Sequence, residues 1–308
     1  MKVIELERCP ACGAHDFDER RLGAEASLRH CLACDTLFAD RVADPDEIYV
    51  DGYLRGEGGD FGLDISNPAF QAYLREVARR RVDFLASVAP TARSLLDVGC
   101  GTGEVLVAAR ERGWEVRGVE PLEDASREAR DGRGLDVRTG TLEESGLPER
   151  DHDVVSAFHV LEHIPDTRGF LSTLARWARP GGWVVVEVPN FESAIRRHHG
   201  PNWSGLRPLE HVVHFTPATL RAAFERVGLE PVRVTTASYV GPPQDLDHAL
   251  ADLAKFRWRR VLAPLCRRGD GDASLRPGRL GWAALHAMER VSVARGHGQV
   301  VLGIARAR

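Results

Sequence analysis

The chain has 308 residues, 43% of them hydrophobic, and a formal charge of −4. That is enough apolar material for one large domain with a small one beside it, and the slight acidity excludes a global basic field for nucleic acid. No run reaches the roughly 18 apolar residues needed to span a bilayer, and the opening Met1–Glu7 is too short and charged for a signal peptide, so a soluble, cytoplasmic protein is expected.

Residues 1–45 carry the first motif. Cys9, Cys12, Cys31 and Cys34 form two Cys-x-x-Cys pairs with 18 residues between them. That spacing matches a four-thiolate zinc site, each pair giving a tight turn with both sulfurs towards one tetrahedral ion. Disulfides are the alternative, disfavoured in a reducing compartment. Cys100 and Cys266 stand alone and read as buried thiols, and His15 and His30 read as bystanders. Short strands are predicted at 27–30 and 36–39. Residues 46–92 are a linker with Tyr49 and Tyr53, a glycine-rich stretch at 55–60 and a helix from Pro68 to about Ala89. Arg79, Arg80 and Arg81 lie within that helix and read as a solvated face.

From residue 93 strands and helices alternate, which predicts an α/β fold, a doubly wound, mostly parallel seven-stranded sheet. The strands are read at 94–98, 115–120, 136–139, 153–158 and 183–188, with a closing antiparallel pair at 232–236 and 299–305. Helices are read at 104–112, 122–130, 167–178, the last broken by Pro180-Gly181-Gly182, and from Thr216, a cap with Pro217 behind it, to Gly228. A helical insert at about 241–295 precedes the last strand, with Leu246, Leu250, Leu253, Val261 and Leu265 as its apolar positions. It holds Lys255, Arg257, Arg259, Arg260, Arg267, Arg268, Arg276 and Arg279 against Asp270 and Asp272. A solvated flap is one reading of it. A lid holding a phosphorylated or acidic substrate is the other.

The sharpest signal is Leu95-Leu96-Asp97-Val98-Gly99-Cys100-Gly101-Thr102-Gly103, a strand running into an acidic residue and a glycine turn. The glycines let the backbone turn sharply and approach a ligand with no Cβ in the way. Glu120 ends the next apolar run, 17 residues after Gly103, where a carboxylate can take ribose hydroxyls. Glu104 opens the following helix, where it would repel a dinucleotide's pyrophosphate. This combination resembles the S-adenosylmethionine site of class I methyltransferases. The resemblance covers about residues 68–239 and the final strand. It implies that Asp97 and Gly99 hold the amino-acid end of the cofactor, that Gly101 and Gly103 complete the turn, and that Glu120 holds the ribose. It implies further that Thr141 and Leu142 flank the adenine, Thr141 standing where many members have Asp, and that His159 lies along the methionine part.

The order of ribbon, tyrosine-bearing linker and methyltransferase, with Trp203 to Pro217, resembles a bacterial set of zinc-ribbon methyltransferases of sugar and natural-product pathways. Methyl transfer to a hydroxyl needs an in-line approach and a base for the proton, and His211 and His214 are the candidates. Glu162 and His163, with His159 before them and the later histidines, are also similar to the arrangement of metal-dependent O-methyltransferases. Leu-Glu-His after the fourth strand occurs in metal-free members too, so His163 is read as structural. The expected function is methylation of a small molecule, at a hydroxyl of a sugar, nucleotide-sugar or secondary metabolite. Methylation of a small molecule at nitrogen or carbon is one alternative, and an RNA methyltransferase gripping its substrate with the ribbon is the other. Against it, residues 1–40 hold Lys2, Arg8, Arg20, Arg21 and Arg29 but also Glu5, Glu7, Asp16, Asp18, Glu19, Glu25, Asp35 and Asp40, a poor phosphate reader.

Overall fold

The computed structural model describes residues 2–22, 26–50, 52–53, 68–239, 266–268, 275–277 and 290–308. The chain opens with strand β1 (Val3–Glu5), then β2 (Phe17–Leu22), β3 (Ala26–Cys31), β4 (Leu37–Ala39) and β5 (Arg41–Ala43), and a one-turn helix α1 (Pro45–Ile48). β1 pairs with β5, and β2, β3 and β4 form an antiparallel meander. Both cysteine knuckles close on backbone hydrogen bonds: the Gly13 N–H donates to the Cys9 carbonyl (2.8 Å) and the Asp35 N–H to that of Cys31 (2.9 Å). Each turn needs one residue at positive φ, Gly13 at 78° and Asp35 at 61°. A short polar side chain tolerates that region next best after glycine.

Helix α2 (Pro68–Val88) leads into the alternating part. It contains β6 (Ser94–Val98), α3 (Glu104–Glu111), β7 (Glu115–Glu120), α4 (Glu123–Arg127), β8 (Asp136–Thr139), β9 (His152–Phe158), α5 (Thr167–Trp177) and β10 (Ala178–Pro189). After α6 (Ala194–His199) and β11 (Val213–His214) come α7 (Pro217–Arg226), β12 (Glu230–Ala237), β13 (Cys266–Arg268), β14 (Leu275–Pro277) and β15 (Val300–Arg306). The main sheet has seven strands in the order β12-β15-β10-β9-β6-β7-β8. β10, β9, β6, β7 and β8 run parallel, and β15 is antiparallel to both its neighbours. This is the predicted doubly wound sheet with its closing antiparallel pair.

Alternation along each strand sends side chains to two separate cores. Val184, Val186 and Val188 pack with Leu171, Leu174, Leu220 and Phe224 of α5 and α7. Val185, with Leu95 and Ile304, packs on the other face against Val82, Leu85 and Leu106 of α2 and α3. Each such side chain contributes about 1.5–3 kcal/mol on burial, which fixes helices on both faces and leaves the carboxyl edge of the sheet for a ligand.

Three expectations are corrected. Pro180-Gly181-Gly182 does not separate helix from strand: β10 begins at Ala178 and carries a register shift between Ala178 and Trp183, because the Gly181 N–H still finds a partner in the Ala307 carbonyl, 2.9 Å away. The helix predicted at 122–130 ends at Arg127 and widens into a looser turn over Glu128–Gly132. Arg81 is not on a solvated face. Arg79 and Arg80 are exposed beside Glu76, but the Arg81 side chain is only 13% exposed and pairs with the fully buried Glu187 of β10. The insert's apolar positions, with Lys255, Arg257, Arg259, Arg260 and Arg279, lie outside the described residues. Its described strands β13 and β14 pair antiparallel, carrying Arg267, Arg268 and Arg276. Among the described residues no helix is long and apolar enough to cross a membrane.

Removing one partner of a buried ion pair leaves the other charge stranded, at a cost of about 3–5 kcal/mol. Arg81→Met should therefore destabilise the protein by about that much in urea unfolding. Adding Glu187→Leu should recover part of the loss, so the two changes should be strongly non-additive.

Candidate functional site

The glycine turn leaves β6 with Gly99, Gly101 and Gly103 all at positive φ (70°, 54° and 87°). A Cβ on Gly99 would lie 2.5 Å from Val160 Cγ2, and one on Gly103 would lie 2.4 Å from Leu135 Cδ1. Side chains are thus excluded both by conformation and by space. Glu120, at the end of β7, braces the turn: its carboxylate accepts from the Gly101 N–H (2.7 Å) and the Leu122 N–H (3.0 Å). Burial pushes its pKa up, against those two hydrogen bonds. Asp97 is buried beside Ser156, whose hydroxyl donates to it at 2.6 Å. Burial, the dominant influence, lifts the Asp97 carboxyl to about 7.

Glu104 sits in the first turn of α3, tied to the Thr102 hydroxyl (2.9 Å) and to Arg133 (2.7 Å). A carboxylate held there occupies the position a pyrophosphate takes in dinucleotide folds. Thr141 is exposed and donates to Glu144 through its N–H (3.0 Å) and its hydroxyl (2.8 Å), while Leu142 beside it is buried. The left-handed glycines, with carboxylates at the ends of two adjacent strands, fit a nucleoside with a cationic amino-acid tail.

His159 follows β9 at φ 56°, so the stretch is not helical there; only Leu161–His163 makes a short 3-10 turn. Its Nδ1–H donates to Glu162 at 3.1 Å, and its Nε2 lies 3.4 Å from Glu187. Burial opposes charge on this imidazole, but hydrogen bonds to Glu162 and Glu187 outweigh it and raise the pKa to about 9. Burial acts the other way on Glu187, but Arg81 and His159 pull its carboxyl down to about 2. The Tyr239 hydroxyl adds a third donor to Glu187, at 2.6 Å.

Beyond Glu162 lies a second, mostly neutral polar group. His163 Nδ1 is 2.6 Å from the Tyr49 hydroxyl. The His163 and His211 rings meet edge to face at 4.7 Å between centroids. His211 Nδ1 donates to the Gly205 carbonyl at 2.8 Å. Tyr53 donates to Glu210, which also accepts from Arg207 at 2.7 Å. His214 is buried against Phe191, 6.4 Å from His211 between ring centroids. Burial lowers the pKa of His163 and, far more, of His211, and brings His214 to about 4, so all three are neutral at neutral pH.

The loop bearing these histidines is fastened to the cysteine module. β11 pairs with β4, making the module's sheet four-stranded in the order β11-β4-β3-β2. The Ala39 N–H donates to the Val212 carbonyl and the Ala43 N–H to that of Leu209, both at 2.9 Å. In the module, Cys9 and Cys34 sulfurs are 3.5 Å apart, as are those of Cys12 and Cys31, and all four lie within 4.8 Å of one another. That is far beyond the ~2.05 Å of a disulfide and close to the ~3.8 Å edge of a tetrahedron with ~2.3 Å metal–sulfur bonds.

The structure thus brings the expected Asp97, Gly99, Gly101, Gly103 and Glu120 together, and bonds His159 to Glu162, which lies near His163 and His211. Sequence reasoning missed Arg81, Glu187 and Tyr239, and the link of Tyr53 to Glu210. For Glu187, the one available signal was an acidic residue inside the apolar run Val184–Val188.

A seven-stranded sheet of this order, with a glycine turn after β6 and an acidic residue ending β7, defines a Rossmann-like S-adenosylmethionine-dependent methyltransferase of class I. The chain belongs to the family described as methyltransferase domain, whose model matches residues 70–234, more than half of it. It is similar to the ubiquinone biosynthesis O-methyltransferase of Thiobacillus denitrificans, with 29% identity over 180 residues, 54% of this chain and 77% of the relative. The protein of the same name from Hydrogenovibrio crunogenus is 26% identical over 187 residues, 57% of this chain and 70% of the relative. Among solved structures, an S-adenosylmethionine-dependent methyltransferase of Thermotoga maritima shares the fold at a TM-score of 0.50 and 18% identity, covering 77% of this chain and 92% of that one.

Gly103→Ala should cost about 1–3 kcal/mol of stability, from an L-residue forced to positive φ. It should also reduce the thermal stabilisation given by S-adenosylmethionine; both are read from melting curves with and without the cofactor.

Proposed function

We propose that this methyltransferase methylates a hydroxyl of a small molecule, a sugar, nucleotide-sugar or secondary metabolite. Asp97 and Gly99 take the amino-acid end of the cofactor, Gly101 and Gly103 form its cradle and Glu120 takes the ribose. Thr141 and Leu142 flank the adenine and His159 lies along the methionine part. S-Adenosylmethionine supplies the methyl group on a sulfonium, so the protein's task is positioning and proton handling. The observation that carries the hydroxyl reading is the buried Glu162–His163–His211 group, joined to the cofactor wall by the His159–Glu162 hydrogen bond. It offers neutral imidazoles where a hydroxyl proton must leave. The curated relatives named as O-methyltransferases support it. His211 and His214 are the acceptor-side residues, and His211 is the one whose ring meets this group.

Cys9, Cys12, Cys31 and Cys34 would hold a structural zinc ion. The ribbon's acid excess favours an internal role over RNA binding, and its sheet pairing with β11 supplies one: it holds the acceptor loop in place. The chain then divides as 1–45 ribbon, 46–92 linker and helix, and 93–308 methyltransferase domain with an insert at about 241–295. The insert's basic residues are consistent with an acidic or phosphorylated acceptor.

The cofactor assignment is tested through pH. A carboxyl lifted to about 7 is protonated below that pH, and a cationic amino-acid tail binds the carboxylate. Cofactor affinity should fall as pH drops below about 7, by up to tenfold per unit, while Asp97→Asn should bind weakly with a flat profile; calorimetric titration reads both. Strong binding by Asp97→Asn at every pH would overturn the assignment.

Cys31→Ser with Cys34→Ser should lose the bound zinc in elemental analysis. Amide exchange at Val212 and Ala39 should speed up, turnover should fall, and cofactor affinity should stay within a few-fold of wild type.

A further inference from the structure

Arg196 carries a positive charge that no acidic group among the described residues answers. It lies in α6, just after β10 at the carboxyl edge of the sheet, outside the arginine-bearing insert. Among the described residues its guanidinium makes no ion pair and no hydrogen bond, and its Nε is buried without a partner. Glu192, the nearest acidic residue in the chain, is exposed and does not reach it. Burial and the adjacent Arg197 both work against the charge. A cation partly withdrawn from water with nothing to accept its protons is costly, and native proteins rarely leave one so.

An aromatic ring holds it in place. The guanidinium carbon lies 3.9 Å from the centroid of Phe191, a contact that steadies the planar cation while using none of its N–H donors. Phe191 is 5.5 Å from His214 between ring centroids, His214 is 6.4 Å from His211, and His211 is 4.7 Å from His163. These rings make one row, with the Arg196 cation at one end and Glu162, beside His163, at the other. Trp203 buttresses the cationic end, 6.2 Å from Phe191. From this geometry we infer that Arg196 is the anion-recognition point of the acceptor site, selecting acceptors that carry a carboxylate or phosphate group apart from the atom to be methylated.

Paired N–H donors of a guanidinium match the oxygens of either group. His163, His211 and His214 are neutral in their buried places, so Arg196 supplies the positive charge of the row. Docking the anionic group there would leave the rest of the acceptor along the histidines, which restricts its orientation towards the methyl donor. Arg196 thus sets specificity and does not touch the reacting atoms. Assigning the anion to the acceptor rests on the small-molecule reading proposed above. The affinity of Arg196 for an anion does not.

The probes are inorganic phosphate and succinate, added to the full chain at constant ionic strength. Binding is read by NMR from the ring of His214, a reporter that every variant keeps. Both anions should shift it in the wild type, and the tighter of the two tells whether phosphate or carboxylate is the preferred group. Arg196→Met should weaken binding at least tenfold, Arg196→Lys should recover part of it, and Arg226→Met, at the exposed end of α7, should leave it unchanged. All variants must keep the thermal shift given by S-adenosylmethionine, which reports a folded cofactor site. In turnover, hydroxyl compounds are compared in matched pairs with and without the anionic group. The wild type should favour the anionic member at least tenfold in kcat/KM, and R196M should erase the preference through KM with kcat little changed. No shift in the wild type at tens of millimolar anion, equal binding by R196M, or a wild type indifferent to the anionic group would overturn the assignment. Anion binding that is lost in R196M, with no methyl transfer to any small molecule, would leave the anion site standing and overturn the small-molecule reading.

Discussion

Buried charge at the carboxyl edge of the sheet ties distant segments of this chain together. Glu187 has no access to water, and a carboxylate in that position is tolerable only if it is surrounded by donors. Arg81 from α2, His159 from the turn after β9, and Tyr239 after β12 all converge on it. Three segments distant in sequence are thereby tied to one atom group. The same pairing holds His159 in a strained left-handed conformation beside the glycine turn, a cost that only over-determined surroundings sustain. His159 in turn engages Glu162, whose carbonyl accepts from the Val212 N–H, so the chain of contacts runs from the helix before the sheet to the loop bearing His211.

That loop is held from its other side by the cysteine module. The connection is through backbone, with β11 as the fourth strand of the module's sheet. Main-chain hydrogen bonds fix register as well as position. Arg207 and Leu209 adopt positive φ just before it, strain that the Ala43–Leu209 and Ala39–Val212 hydrogen bonds can sustain. A module that reads in sequence as a separate domain is thus, in the fold, part of the wall carrying His211 and His214. Tyr49 and Tyr53, from the segment that follows it, complete the wall by reaching His163 and Glu210.

Much of this was legible in the chain because the signals are local. The glycine turn announces itself since Gly99 and Gly103 must adopt positive φ where a Cβ would also collide. The strands of the parallel core read as apolar runs because both their faces are covered. Thr216 and Pro217 mark the start of α7 through a cap that needs only neighbours within one turn. Arg81 was misread although helical phase sets it apart from Arg79 and Arg80: it stands four residues after Val77 and four before Leu85, both buried. What no local pattern records is the partner that makes burying its charge tolerable, which lies 106 residues away.

The strand and helix alternation, the glycine turn with Asp97 before it and Glu120 beyond, and four thiols in two knuckles were all readable along the chain. Each is a short-range pattern whose chemistry is complete within a few residues. Which charges are buried together, and that the cysteine module shares a sheet with the loop bearing His211 and His214, came only from the folded arrangement. Those properties arise from contacts between residues far apart in the chain, 106 residues for Arg81 and Glu187 and 157 for Tyr53 and Glu210, where burial sets the strength of each interaction and no local pattern records the partner.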